Sequence, residues 1–96
     1  MNDARKRLLA LLDDPKELAG QLQRYRKVHG NKTVRGASFG LAYDAIRWTK
    51  TFDRDCMERV LLSLTSENVD LMDIHQQLED GGFNTIPYPG EVPCSI

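Results

Sequence analysis

The amino-acid sequence predicts an all-α fold: a compact bundle of four to five short helices with an extended, Pro-rich C-terminal arm. Three observations lead there. Apolar residues recur three and four positions apart through most of the chain, while strand-like alternation is scarce. Capping residues precede these runs, and glycines stand where several should stop. Pro87, Pro89 and Pro93 then crowd a last segment that cannot continue as a helix. The chain divides accordingly into a helical bundle domain, residues 1–82, and an arm, residues 83–96.

Each element has its own signals. Ala4, Leu8, Leu11 and Leu12 form a first short stripe, with Asn2 or Asp3 ahead of it as a cap. Asp14-Pro15 restarts the chain as a helix, because proline at the first helical position gives up an N–H that has no partner there. Glu17 adds a partner like that of a capping box, and Leu18, Leu22, Tyr25 and Val28 continue one face as far as Gly30. Gly20 weakens this helix by about 1 kcal/mol relative to Ala and suggests a close helix crossing. A third pattern follows in Phe39, Ala42 or Tyr43, and Ile46. Asp53 caps a fourth, with Met57, Val60, Leu61 and Leu64 on one side. Ser66 is the expected cap of a fifth, which turns Leu71, Ile74 and Leu78 inward, with Val69 and Met72 beside them, and ends at Gly81-Gly82. Phe83, Ile86 and Tyr88 are candidates to anchor the arm on the bundle.

Composition narrows the function classes. A chain of 96 residues, 41% apolar and 28% charged, is that of an ordinary globular domain. Its longest apolar run, Leu8 to Leu12, falls far short of the roughly 18 residues of a membrane span. With no secretory signal pattern and no CxxC around Cys56 or Cys94, the expected location is the cytoplasm.

The net charge of −1 hides a strong asymmetry. All thirteen Lys and Arg lie in residues 1–59 against eight acids, a local charge of +5; residues 60–96 hold six acids and no Lys or Arg, −6. Such a molecule presents a polyanion-binding half, or two halves that attract each other on folding. Arg24, Arg26, Lys27, Lys32 and Arg35 form an acid-free basic run and, with Arg47 and Lys50, are the candidate nucleic-acid contacts within residues 24–50. The first of them equally suit the end of a helix, where cations complement the dipole. Asp70, Asp73, Glu79 and Asp80, with Tyr88 between its two prolines, are the candidate protein-binding residues. The same acids also read as a solvated helix face.

Residues 33–50 place small Gly36 four positions before Gly40, with Phe39, Leu41 and Ile46 at packing positions. With Gly40 as the turn, this stretch resembles the helix-turn-helix of phage Cro-type repressors. Arg35 and Thr49 depart from it, since both stand where an apolar residue is usual. The resemblance implies a second helix presenting Tyr43, Asp44, Arg47 and Lys50 to a major groove, in a dimer that reads two half-sites. The alternative is that Gly36 and Gly40 sit in a loop or a tight helix crossing, with Phe39, Ile46 and Trp48 in the core.

Catalytic patterns are missing. His29 and His75 begin no HExxH motif, no Cys and His share metal-ligand spacing, and neither GxxxxGK nor GxGxxG occurs. Gly36-Ala37-Ser38-Phe39-Gly40 matches GxSxG without the preceding strand that makes a nucleophile elbow. The sequence therefore predicts no enzyme, cofactor or metal. It predicts a small regulatory or inhibitory protein that binds another macromolecule, most readily a protein, with a DNA-binding regulator as the alternative.

Overall fold

The computed structural model describes residues 2–83, which form five helices and no strand. They are α1 (Asn2–Leu9), α2 (Pro15–His29), α3 (Val34–Trp48), α4 (Arg54–Leu64) and α5 (Leu71–Asp80). The arm beyond Phe83, with Tyr88, lies outside the described residues.

The caps fall mostly where the side-chain chemistry puts them. Asp14 accepts from the Glu17 amide at 3.2 Å ahead of Pro15, and Asp53 accepts from the Cys56 amide at 3.0 Å. Thr33 caps α3 through the Gly36 amide at 2.9 Å. The fifth helix starts later than Ser66. Asp70 caps it through the Met72 amide at 3.0 Å, while the Ser66 hydroxyl donates back to the Ser63 carbonyl at the end of α4.

One apolar core gathers Leu8 and Leu12, then Leu18 and Leu22 from α2, and Phe39, Leu41, Ala42 and Ala45 from α3. Met57, Val60, Leu61 and Leu64 close it from α4, and Ile74 and Leu78 from α5. Phe83 seals the end, edge-on to Phe52 with ring centroids 5.8 Å apart. Two expected core residues point outward: Val28 is 74% exposed and Trp48 56%.

The helix-turn-helix reading of residues 33–50 is corrected by the structure. No turn interrupts the chain at Gly40; α3 runs unbroken from Val34 to Trp48 and lies antiparallel along α2 as a helical hairpin. Gly40 is buried because the Arg26 side chain crosses it, its Cδ where a Cβ would need to be. Gly36 faces the Gly30 carbonyl oxygen, which any Cβ would overlap. Gly30 itself takes φ +89°, a left-handed conformation that favours glycine. These glycines mark the closest contacts of the hairpin. Gly20 marks none, for nothing lies within 4 Å of the Cβ it lacks.

α3 is the central element, packed against α2, α4 and α5. α2 and α5 flank it and do not meet. α1 packs on α2 and α4.

Two arginines from other helices satisfy the C-terminus of α4, whose own last turn has no basic residue. From α3, Arg35 donates to the carbonyls of Leu64, Ser66 (2.7 Å) and Glu67 (3.3 Å). From α1, Arg5 donates to the Thr65 hydroxyl at 3.0 Å. That hydroxyl, buried, donates in turn to the Leu61 carbonyl at 2.8 Å. Arg35 therefore replaces the apolar residue of a helix-turn-helix with a charged strut.

The two kinds of glycine respond oppositely to substitution. Gly20→Ala raises stability by up to about 1 kcal/mol, since only helix propensity changes. Gly36→Ala lowers it by about 2 kcal/mol or more, because backbone must move. Urea unfolding of both variants checks the pair; equal effects contradict the packing described.

Candidate functional site

The candidate basic residues do not all face solvent. Arg24, Lys27, Lys32, Arg47 and Lys50 are exposed, while Arg26 and Arg35 are half-buried. Arg35 is occupied by the α4 carbonyls and is withdrawn from the nucleic-acid set: its guanidinium already has three acceptors inside the fold. Arg26 lies across Gly40 with its guanidinium carbon 5.9 Å from the centre of the Tyr43 ring. Its Nε is buried without a hydrogen-bond partner. Arg47 lies 5.6 Å from the same ring and 5.1 Å from Trp48, so one guanidinium joins two aromatic rings.

Beside this cluster runs a groove of about 410 Å³ between the first half of α2 and the second half of α3. Pro15, Ala19, Ile46 and the Tyr43 ring give it apolar walls; Lys16, Gln23 and Arg47 give it polar ones. The missing side chain of Gly20 leaves it open. A second, smaller groove of about 170 Å³ lies among Arg26, Asn31, Gly40 and Asp44. Arg47 was legible in the sequence as a binding candidate. Lys16 and Gln23 carried no signal there, because only antiparallel packing of α2 on α3 brings them opposite Tyr43.

The acidic candidates gather on α5. Asp70 is its cap. Asp73 and Asp80 accept from the Gln77 and Gln76 amides, at 3.0 and 2.9 Å, and Glu79 lies 3.8 Å from the His75 ring. All four acids are exposed, and Met72, 63% exposed, shares their face. Asp70 and Asp73 suit the positive end of the helix dipole. Glu79 and Asp80 occupy its last turn, where negative charge is disfavoured; that turn has no basic residue of its own, and His75 lies against Glu79 from one turn back.

Of the described ion pairs, Arg54–Asp13 (2.9 Å) and His75–Glu79, neither links the basic run to α5. The described residues assemble no group of three or more His, Cys, Asp or Glu able to hold a metal ion. Cys56 is buried under Gly81, its thiol bonded to the Gln77 carbonyl, and burial pushes its pKa up, away from the reactive thiolate. No helix among the described residues is long and apolar enough to cross a membrane. Compared with known protein families, curated proteins and solved structures, the chain matches none.

His29 gives the hairpin a pH response. Its ring stacks on Phe39 with centroids 5.5 Å apart, and Tyr25 stacks on the same ring. Burial and, secondarily, the Arg35 charge hold its pKa below the ordinary 6.5. The unfolded chain thus binds more protons than the fold between that lowered value and 6.5. Stability is full above pH 6.5 and falls as the pH drops below it. Urea unfolding at pH 7.5 and 5.5 should show this loss, and His29→Gln should reduce it; an unchanged pH dependence in the variant assigns the loss elsewhere.

Proposed function

We propose that this protein is a small non-enzymatic regulator or inhibitor that acts by binding a basic surface on another protein through the outer face of α5. The observation that carries this reading is the placement of Asp80. It stands exposed in the last turn of a helix whose dipole disfavours it, with an amide rather than a Lys or Arg beside it among the described residues. Carboxylates held against local preference gain from a cation brought by a partner. Met72 adds an apolar contact in the same face, which suits a docking surface with an apolar centre and a polar rim. Exposed ionic contacts of this kind steer association and set specificity more than they add affinity.

The fold's own needs and the proposed function separate at Asp80. Asp80→Lys complements the dipole and should raise stability by about 0.5 kcal/mol. The same substitution, with Asp73→Lys, should abolish capture of partner proteins that wild type retains at low salt. Affinity capture with both chains, paired with urea unfolding, tests this. A set of captured proteins unchanged by the double reversal would remove the α5 face from the account.

A further inference from the structure

The opposite side of the molecule carries a different surface. The groove between α2 and α3 has apolar walls, two cations and an amide, and no carboxylate among its lining residues. At its edge Tyr43 lies within 6 Å of two guanidinium carbons, those of Arg26 and Arg47. Beyond it the exposed Trp48 shares Arg47, and exposed Lys50 follows. Cations and π-faces therefore alternate along a track from Lys16 through Tyr43, Arg47 and Trp48 to Lys50.

We propose that this track binds single-stranded nucleic acid. The chemistry is specific to that ligand in three respects. Flat aromatic faces beside guanidinium groups suit unpaired bases, whose π-surfaces are accessible only when they are not stacked in a duplex. Lys16 and Arg47 line the groove and Lys50 lines the neighbouring hollow with Trp48, so the cations suit a phosphate backbone, and no acid is among the lining residues of either. The opening at Gly20 leaves room for a bulky group that a long side chain there would exclude. A duplex fits poorly, because α3 is buried on most of its circumference and offers no free recognition helix. The groove end of this track lies between α2 and α3, away from α5, whereas Trp48 and Lys50 line a hollow with Gly82 just past the end of α5.

Trp48, the one tryptophan of the chain, is a built-in reporter. The experiment titrates the full chain with an oligo-dT of about 10 nucleotides, a length within the usual site sizes, at low and moderate salt, and follows Trp48 fluorescence and anisotropy of the labelled strand. Binding should quench Trp48 and weaken with salt, with a log–log slope of about −0.7 per phosphate contacted. Arg47→Ala and Tyr43→Ala should each weaken binding by about tenfold, within the range of lost base stacking. Gly20→Glu, which puts a carboxylate in the groove at a position free of packing contacts, should weaken it at least as much with the fold intact, whereas Gly20→Ala should leave it unchanged. Absence of oligo-dT binding, tighter binding of a duplex of the same length, equal binding of free thymidine monophosphate, or indifference to Gly20→Glu each overturns the proposal.

Discussion

A helix that touches three others has little circumference left for side chains, and α3 is in that position. Its solution is to remove bulk where the chain returns closest. Gly36 admits the Gly30 carbonyl and Gly40 admits the Arg26 side chain, so α2 folds back along α3 with no room for a larger residue at either place. Each glycine weakens the isolated helix by about 1 kcal/mol, and close packing along the hairpin offsets that cost. With α2 set on one side, α4 and α5 pack on other faces of α3, leaving Val34, Arg47 and Trp48 exposed at its ends. That geometry keeps α2 and the acidic α5 from meeting, with α3 between them.

The positive charges then divide into two populations. Arg5 and Arg35 point inward and complete the C-terminus of α4, which would otherwise present bare carbonyls with no cation of its own. Arg24, Lys27, Lys32, Arg47 and Lys50 remain at the surface. Arg26 belongs to both, its stem packed on Gly40 and its head against Tyr43. Counting basic residues along the chain therefore overstates the exposed positive surface, but leaves its sign and place unchanged. The acids of α5 divide in a similar way, between Asp70 and Asp73, which support the helix start, and Glu79 and Asp80, which oppose its end.

Much of this was legible in the sequence, for local reasons. Asp14-Pro15, Asp53 and the helical spacing of Met57, Val60, Leu61 and Leu64 act within a few residues, and those elements lie where expected. Misreadings arose where tertiary contacts overrode local signals. Ser66 resembles a cap as well as Asp70 does, yet its hydroxyl turns back to Ser63 at the end of α4. Gly40 has the composition of a turn, but the helix passes through it because Arg26 lies against it. Gly20 suggested a crossing and stands in open space. Val28 fits the apolar stripe of α2 but is exposed, while the next residue, His29, stacks on Phe39 of α3. The Arg47 contact with Tyr43 follows from i,i+4 spacing once α3 is one helix, whereas its contact with Trp48 was hidden because adjacent helical positions diverge by about 100° and only the rotamers bring them together.

The account rests on α3 holding the basic side of α2 away from the acidic face of α5. A double-mutant cycle in urea unfolding between Arg24→Ala on α2 and Asp73→Ala on α5, at low salt, measures that separation directly. Separate faces predict additive effects, with a coupling energy within about 0.3 kcal/mol of zero. A coupling well beyond about 0.5 kcal/mol would mean that the two charges are engaged with each other, contradicting the picture of two independent surfaces.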